Sequence, residues 1–454
     1  MIEPKVQIIL PPKQEPSLRV GVVLAEDRKI SLQVSGQLPL EVIDHSKRYP
    51  VAQGELLEVR LESNKVSVYR IPNNKLLCKA DSITLHPFKV PTNSDTGITI
   101  DTITAGRGFH WQKEIRQTFP GELEFIATAD GLVVVNVVNF ETYLACVITS
   151  EMSSSCPLEF AKAQAVAARS WAQVFLGNKH PGMPYEICND DDCQRYQGIT
   201  HVLDRSFQAV RECRGEYLVR DDESVCPAYY MKSCGGYGEN AENIFGPGTQ
   251  GISAQFCGPH SDTSRKLDLT ITSQFLEWLS NSKDAQRAYC SDSSISGDKL
   301  SQYLGVVDEK SSYFRWEYVL SKELLLKNLN VKAGISDVVD ISELVLGARG
   351  TSGRILNGSV KYRDNAGNSK EYSLPNQYEF RRVLHESFLY SSAVSVATKT
   401  DKIGQLEEVH FRGAGWGHGV GLCQIGALAM ALGGADYKTI LAQYYAGCAV
   451  MKSY

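Results

Sequence analysis

The stretch Val138-Asn139-Phe140-Glu141-Thr142-Tyr143-Leu144-Ala145-Cys146-Val147-Ile148-Thr149-Ser150-Glu151-Met152 decides how this sequence is read. It runs apolar up to an acid, and Ser153-Ser154-Ser155-Cys156-Pro157-Leu158-Glu159 then leads into the alanine-rich run 161–175. That run predicts a helix. Pro157 suits the first turn, Glu159 the third helical position, and alanine has the highest helix propensity. Glu151 is thereby expected at the mouth of this helix. Free amides there stabilise a carboxylate as an anion, whereas apolar neighbours push its pKa up. A glutamate between those two influences has the makings of an acid/base; a helix-capping acid is the other reading.

Outside this stretch the composition is that of an ordinary soluble protein, with 43% apolar and 22% charged residues in 454, enough for two or three domains. A net charge of −5 without a basic cluster argues against a nucleic-acid partner. No run of about 18 apolar residues occurs, so no transmembrane segment is expected. Residues 1–18 carry proline and lack the apolar core of a signal peptide, which fits either a cytoplasmic protein or one whose export signal is trimmed. The 12 cysteines are scattered and suggest no disulfide-rich scaffold; the close pair is Cys188 and Cys193, with His180 upstream.

Upstream, residues 19–24, 30–34, 56–61 and 66–69 alternate apolar and polar side chains and predict a small antiparallel β module. The polar connector 91–101 is the first expected boundary. Strands are predicted at 123–127 and 132–138, and a helix at 206–213. The polar, serine-rich segment from about 250 reads as an inserted lobe with helical patches at 273–282 and 322–329. Strand signals return over 338–396, and 377–386 reads as helix.

Near the C-terminus, Phe411-Arg412-Gly413-Ala414-Gly415-Trp416-Gly417-His418-Gly419-Val420-Gly421-Leu422-Cys423-Gln424-Ile425-Gly426-Ala427 precedes a helix at 427–432. Glycine at this density lets a backbone approach a ligand closely. Neither Gly-x-Gly-x-x-Gly nor a Lys-Ser/Thr ending is present, which disfavours nucleotide binding.

These two stretches together resemble the SpoIID/LytB family, the stage II sporulation protein D and amidase-enhancer proteins. The family's core motif, roughly VPLEDYL-x-x-VV-x-SEM followed by P-x-E-A-L-K-A-Q-A-V-A-A-R, is matched by Glu141, Tyr143, Leu144, Ser150, Glu151, Met152, Pro157, Lys162, Gln164 and Arg169. Residues 415–427 resemble its closing GWGHGVGMSQ-x-GA motif, and 440–447 its usual ending. Residues 188–198 are similar to its C-x-x-x-x-C-Q-x-Y-x-G, and 233–236 to its S-[SC]-G-G. The resemblance, which spans roughly 106–454, implies a SpoIID-like catalytic domain over 101–454 with an insertion at about 250–335; with the β-rich module read over 1–100, the expected fold class is α+β.

The resemblance further implies a peptidoglycan lytic transglycosylase. Such an enzyme cleaves the glycan between N-acetylmuramic acid and N-acetylglucosamine and leaves 1,6-anhydro ends, with Glu151 as the catalytic acid/base. A pair of carboxylates, usual in glycosidases, is then unnecessary, but Glu151 needs a raised pKa, for which Val147, Ile148, Met152 and Trp416 are apolar neighbours. Arg169, Tyr230, Trp416, His418 and Gln424 become substrate-binding candidates. Competing structural readings are an ion pair for Arg169, a core position for Tyr230 and Trp416, and a histidine buried to satisfy the glycine-rich turn for His418. Glu141 reads as structural.

Cys188 and Cys193 fall where some members hold zinc, with His180 or His201 as further ligands; Asp192 stands where related sequences often show His. No cofactor is required for the reaction, and a structural zinc, a disulfide and free thiols stay open. The implied partners are peptidoglycan glycan strands and a cell-wall amidase, and the implied location is the cell envelope. The alternative function is a non-catalytic wall binder that stimulates an N-acetylmuramoyl-L-alanine amidase.

Overall fold

The computed structural model describes residues 8–45, 47–71, 73–88, 96–108, 112–246, 249, 251–259, 267–280, 282–305, 308, 312–402 and 405–454. It is an α+β protein. The alternating apolar residues of the first third build two sheets. One has the strand order Ile187–Cys188, Ser17–Val23, Leu132–Asn139, Glu122–Ala127, Ser82–Pro87, Leu40–Asp44, Lys47–Val51. The other runs Lys113–Phe119, Ile98–Ala105, Ser31–Gly36, Leu56–Glu62, Lys65–Arg70, Lys75–Ala80. The period of two puts Leu32, Val34, Leu57, Val59, Val66 and Val68 inside.

The boundary expected near residue 100 is crossed by both sheets. Ser31–Gly36 pairs with Ile98–Ala105, and Ser17–Val23 pairs with Leu132–Asn139. Strands from both sides of the connector therefore share one core, and the β unit extends to Asn139. Residues 91–95 of the connector lie outside the described residues.

Leu132–Asn139 passes directly into the helix Phe140–Glu151, which is buried along nearly its whole length. A turn follows, then the alanine-rich helix Leu158–Phe175, with Pro157 as its N-cap. Small alanines let this helix pack closely: Ala163, Ala165, Ala167 and Ala168 are fully buried. The structure here corrects one expectation. Glu151 is the last residue of its own helix and does not sit at the mouth of the next. The free carbonyls of a helix end disfavour an anion, so the backbone field acts on Glu151 opposite to the sign expected from the sequence.

The inserted lobe also differs from its expected bounds of 250–335. Ile252, Phe275, Trp278 and Phe314 belong to the main core. A second core begins at Trp316 and ends at Phe411, with Leu320, Leu325, Phe380 and Val409 at its centre. The reason is strand pairing: Arg315–Ser321 pairs with Leu406–Ala414, which also pairs with Val394–Thr400, so this stretch closes on itself. The helix Lys322–Val331 packs on that sheet, and Gln377–Val383 packs on this helix and on the strand Ser369–Leu374 of a neighbouring sheet. Among the described residues no helix is long and apolar enough to cross a membrane.

Candidate active site

Ser150 and Glu151 end their helix by gripping one loop. The Ser150 hydroxyl donates to the Cys146 carbonyl at 2.7 Å and accepts from the Gln197 amide at 2.9 Å. Glu151 Oε1 accepts from the Arg195 amide at 3.2 Å. Below them the Tyr143 hydroxyl donates to Gln194 Oε1 at 2.9 Å. The motif residues at 143, 150 and 151 thus fold the segment 188–197 against the helix.

The glycine-rich stretch forms the opposite side by running against residues 229–236. Trp416 and Ser233 exchange backbone hydrogen bonds of 2.7 and 3.1 Å, and Tyr230–Met231 pairs in parallel with Leu422–Cys423. Gly421 has φ +77, and a Cβ there would collide with the Tyr229 carbonyl oxygen. Gly415 has φ +76, and its Cβ would lie 2.8 Å from the backbone of Cys234 and Gly235. The two chains meet too closely for side chains at these positions.

This zipper brings two neutral donors onto Glu151. The Tyr230 hydroxyl donates to Oε1 at 3.1 Å, and Gln424 Nε2 donates weakly to Oε2 at 3.4 Å. Gln424 Nε2 also reaches Gln164 Oε1 at 3.4 Å. Glu151 is only 8% exposed. Burial pushes its carboxyl above the ordinary glutamate value, partly offset by the positive fields of Arg195 and Lys232.

Sequence reasoning missed those two cations. Lys232 Nζ donates to the Glu151 backbone carbonyl at 2.7 Å and pairs with Asp308 Oδ2 at 2.7 Å. Arg195 spans Asp191 at 2.7 Å and Asp308 at 2.8 Å. Asp308 is buried, and its two cations hold it below the usual carboxylate range in spite of its burial. Arg195 lies inside the motif at 188–198 and Lys232 next to the one at 233–236, both at positions of no evident function. Asp308 comes from the segment read only as a polar insertion and carried no sequence signal.

Glu151 opens onto a cleft of about 730 Å³ lined also by Arg195, Tyr230, Lys232, Trp416, His418 and Gln424. The second-core lobe supplies another wall through Tyr378, Arg381, Phe388 and Tyr390. Trp416 stacks on Tyr390 with ring centroids 4.0 Å apart, so part of its surface is taken up by the protein itself. His418 lines the cleft, but both ring nitrogens serve the backbone: Nε2 lies 3.0 Å from the Tyr230 carbonyl, and Nδ1 accepts from the Val420 amide at 3.0 Å. Burial, with Arg381 and Arg354 nearby, pushes its pKa down to about 3. This neutral, fully bonded ring holds the turn in shape while lining the cleft. For Arg169 the substrate-binding reading is corrected. It is fully buried, pairs with Glu141 at 2.6 Å and donates to the Glu216 carbonyl at 2.9 Å, away from the cleft lining. Glu141 further accepts from the Tyr454 hydroxyl at 2.7 Å and the Gly215 amide at 3.2 Å, which makes it a structural clamp.

At the rim of the cleft, donor atoms of His180, Cys188, Asp192 and Cys193 all lie within 4.8 Å of one another. His180 Nε2 is 3.3 Å from Cys193 Sγ, and the Cys188 amide donates to that sulfur at 3.4 Å. One nitrogen, two sulfurs and a carboxylate oxygen fit the ligand types of a tetrahedral zinc site. Asp192, which in the sequence looked like a departure from the pattern, is the residue that completes the set. His201 is exposed and is not among these donors.

A buried glutamate thus faces an aromatic cleft between the helix Phe140–Glu151 and the glycine-rich loop. The profile of the stage II sporulation protein family, SpoIID, matches residues 128–219. Over those residues the chain is similar to the SpoIID domain. Residues 264–421 match a domain of unknown function, DUF8618, whose span takes in the second-core lobe. The chain is 26% identical over 380 residues to an uncharacterized protein of Brachyspira hyodysenteriae, covering 83% of this chain and 80% of that one. It is 27% identical over 310 residues to the amidase enhancer of Bacillus subtilis, covering 66% of this chain and 39% of that protein.

Proposed function

We propose that the protein acts on peptidoglycan at the cell envelope as a lytic transglycosylase, with Glu151 as its single acid/base. The observation that supports this most is the setting of the Glu151 carboxyl: buried, raised in pKa, and contacted by the neutral donors Tyr230, Gln424 and the Arg195 amide. The other cleft acids are held by cations, Asp191 by Arg195 and Asp192 by Lys179. In the reaction the Glu151 carboxyl protonates the glycosidic oxygen as the C1–O bond breaks. The resulting carboxylate then takes the proton of the sugar's C6 hydroxyl while that oxygen bonds to C1. No water is consumed, and the anhydro ring forms. Aromatic walls at Tyr230, Phe388 and Tyr390 suit the apolar faces of sugar rings.

A zinc ion held by His180, Cys188, Asp192 and Cys193 would be structural. Cys188 and Cys193 bracket Asp191, the partner of Arg195 that follows them, so the ion would help to fix the charges beside Glu151.

The test incubates the purified chain with isolated glycan strands and reads 1,6-anhydromuramic products by mass spectrometry. Products formed equally well by Glu151→Gln would refute the assigned role. A second reading, stimulation of a wall amidase, is favoured by the likeness to the amidase enhancer. It predicts glycan binding without product, and faster cleavage by an added amidase whether or not Glu151 is intact.

A further inference from the structure

Scattered through the sequence, Cys234, Cys257, Cys290 and Cys423 converge in space. Their four sulfurs all lie within 4.8 Å of one another, and each residue is 4% exposed or less. Cys234 and Cys290 are 3.7 Å apart. A tetrahedron of sulfurs around one zinc at about 2.3 Å has edges of about 3.8 Å. That spacing is well beyond a sulfur–sulfur bond of about 2.05 Å. A cluster of several irons needs its thiolates spread more widely than one ion does, so the compactness selects a mononuclear site.

Polar donors reach the sulfurs from the surrounding core. The Cys234 amide donates to Cys423 Sγ at 3.3 Å, and the Gly236 amide to Cys234 Sγ at 3.3 Å. The Tyr444 hydroxyl lies 3.2 Å from Cys257 Sγ. Two guanidiniums stand close by, Arg315 half-buried and Arg354 fully buried. Arg315 donates to the Gly235 carbonyl at 3.0 Å, and Arg354, wholly buried, reaches the Cys234 carbonyl at 3.4 Å. Among the described residues neither makes a salt bridge to a carboxylate, although Asp292 acts on Arg315 and Glu239 on Arg354 from further off, and Arg354 Nε has no hydrogen-bond partner. Four thiolates on one divalent ion carry two net negative charges, which Arg315 and Arg354 would help to offset. Gly426 clears space on the remaining side, since a Cβ there would lie 2.7 Å from Cys257 Sγ.

We propose that Cys234, Cys257, Cys290 and Cys423 bind one zinc ion, a second metal site distinct from the His180 set. It would tie together three parts of the chain that sequence alone keeps apart. Cys234 follows Ser233 of the zipper, Cys257 and Cys290 belong to the inserted segment, and Cys423 precedes Gln424, whose amide meets Glu151.

The test uses the full chain carrying Cys188→Ser and Cys193→Ser, which removes sulfur from the rim site. Elemental analysis should find about one zinc per chain, falling at least tenfold when Cys257→Ser and Cys290→Ser are added. Should the fourfold variant fail to fold, cobalt substitution of the double variant decides: strong sulfur-to-cobalt charge transfer and a tetrahedral ligand-field spectrum are expected, with about four sulfurs by X-ray absorption. A double variant that is folded and free of metal would overturn the proposal. So would alkylation showing the four cysteines paired as disulfides, or iron found in place of zinc.

Discussion

The Lys232 ammonium sits 2.7 Å from the backbone carbonyl oxygen of Glu151 and leaves the carboxylate of the same residue to neutral donors. A lysine on the carboxylate would hold it ionised and unable to donate a proton. Placed on the carbonyl, it caps a helix end and spends its charge on Asp308 at 2.7 Å.

Asp308 is therefore expected to act on the acidity of Glu151 through Arg195 and Lys232. Asp308→Asn leaves Arg195 and Lys232 less compensated, and both already pull the Glu151 pKa down. The basic limb of the pH–rate profile should move to lower pH. Activity at neutral pH should fall about tenfold for each pH unit that the limb moves. An unmoved profile with unchanged activity would exclude this coupling.

Replacing the acid separates catalysis from stability. Glu151→Gln should lower the rate by about 100-fold to 10,000-fold. A raised pKa means that the folded chain holds this proton more tightly than the unfolded chain. That contribution is complete below the unfolded value and is lost as pH rises through the folded one. The melting temperature of Glu151→Gln should therefore gain on that of the parent as pH rises through this window, measured by calorimetry across a pH series.

His418 carries the opposite sign. Its pKa is pushed from the ordinary histidine value of 6.5 down to about 3, so the unfolded chain takes up a proton before the folded chain does. Stability should fall as pH drops from 6.5 toward 3, at up to about 1.4 kcal/mol per pH unit from this group. His418→Asn, compared with the parent by urea denaturation, should flatten that part of the profile.

The Glu141–Arg169 pair is predicted to matter for folding and little for chemistry. Glu141→Ala strands a fully buried guanidinium and should cost about 3–5 kcal/mol in chemical denaturation. Products formed by the folded fraction should be those of the parent.

Much of the site could be read from local pattern. Alanine propensity marked the helix after Glu151, alternation marked the strands around Leu32 and Val59, and glycine density marked the stretch that closes over the cleft. The domain limits were less legible. A polar connector near residue 100 looks like a linker, yet the strands on either side pair with one another. The segment expected as one insertion at about 250–335 divides instead: residues up to Phe314 feed the main core, and those from Trp316 join a second core that runs on to Phe411.

The chain by itself determined where Glu151 stands in a motif and which short elements form, because propensity and periodicity act over a few neighbouring residues. Only the tertiary structure decided what surrounds that carboxyl: a helix end instead of a helix mouth, Lys232 turned to the carbonyl, and Asp308 brought in from the insertion. It also decided that cysteines as far apart as 234 and 423 meet, their contact spanning 189 positions. Charges and sulfurs act through space over a few ångströms, and the distance along the chain carries almost no record of that.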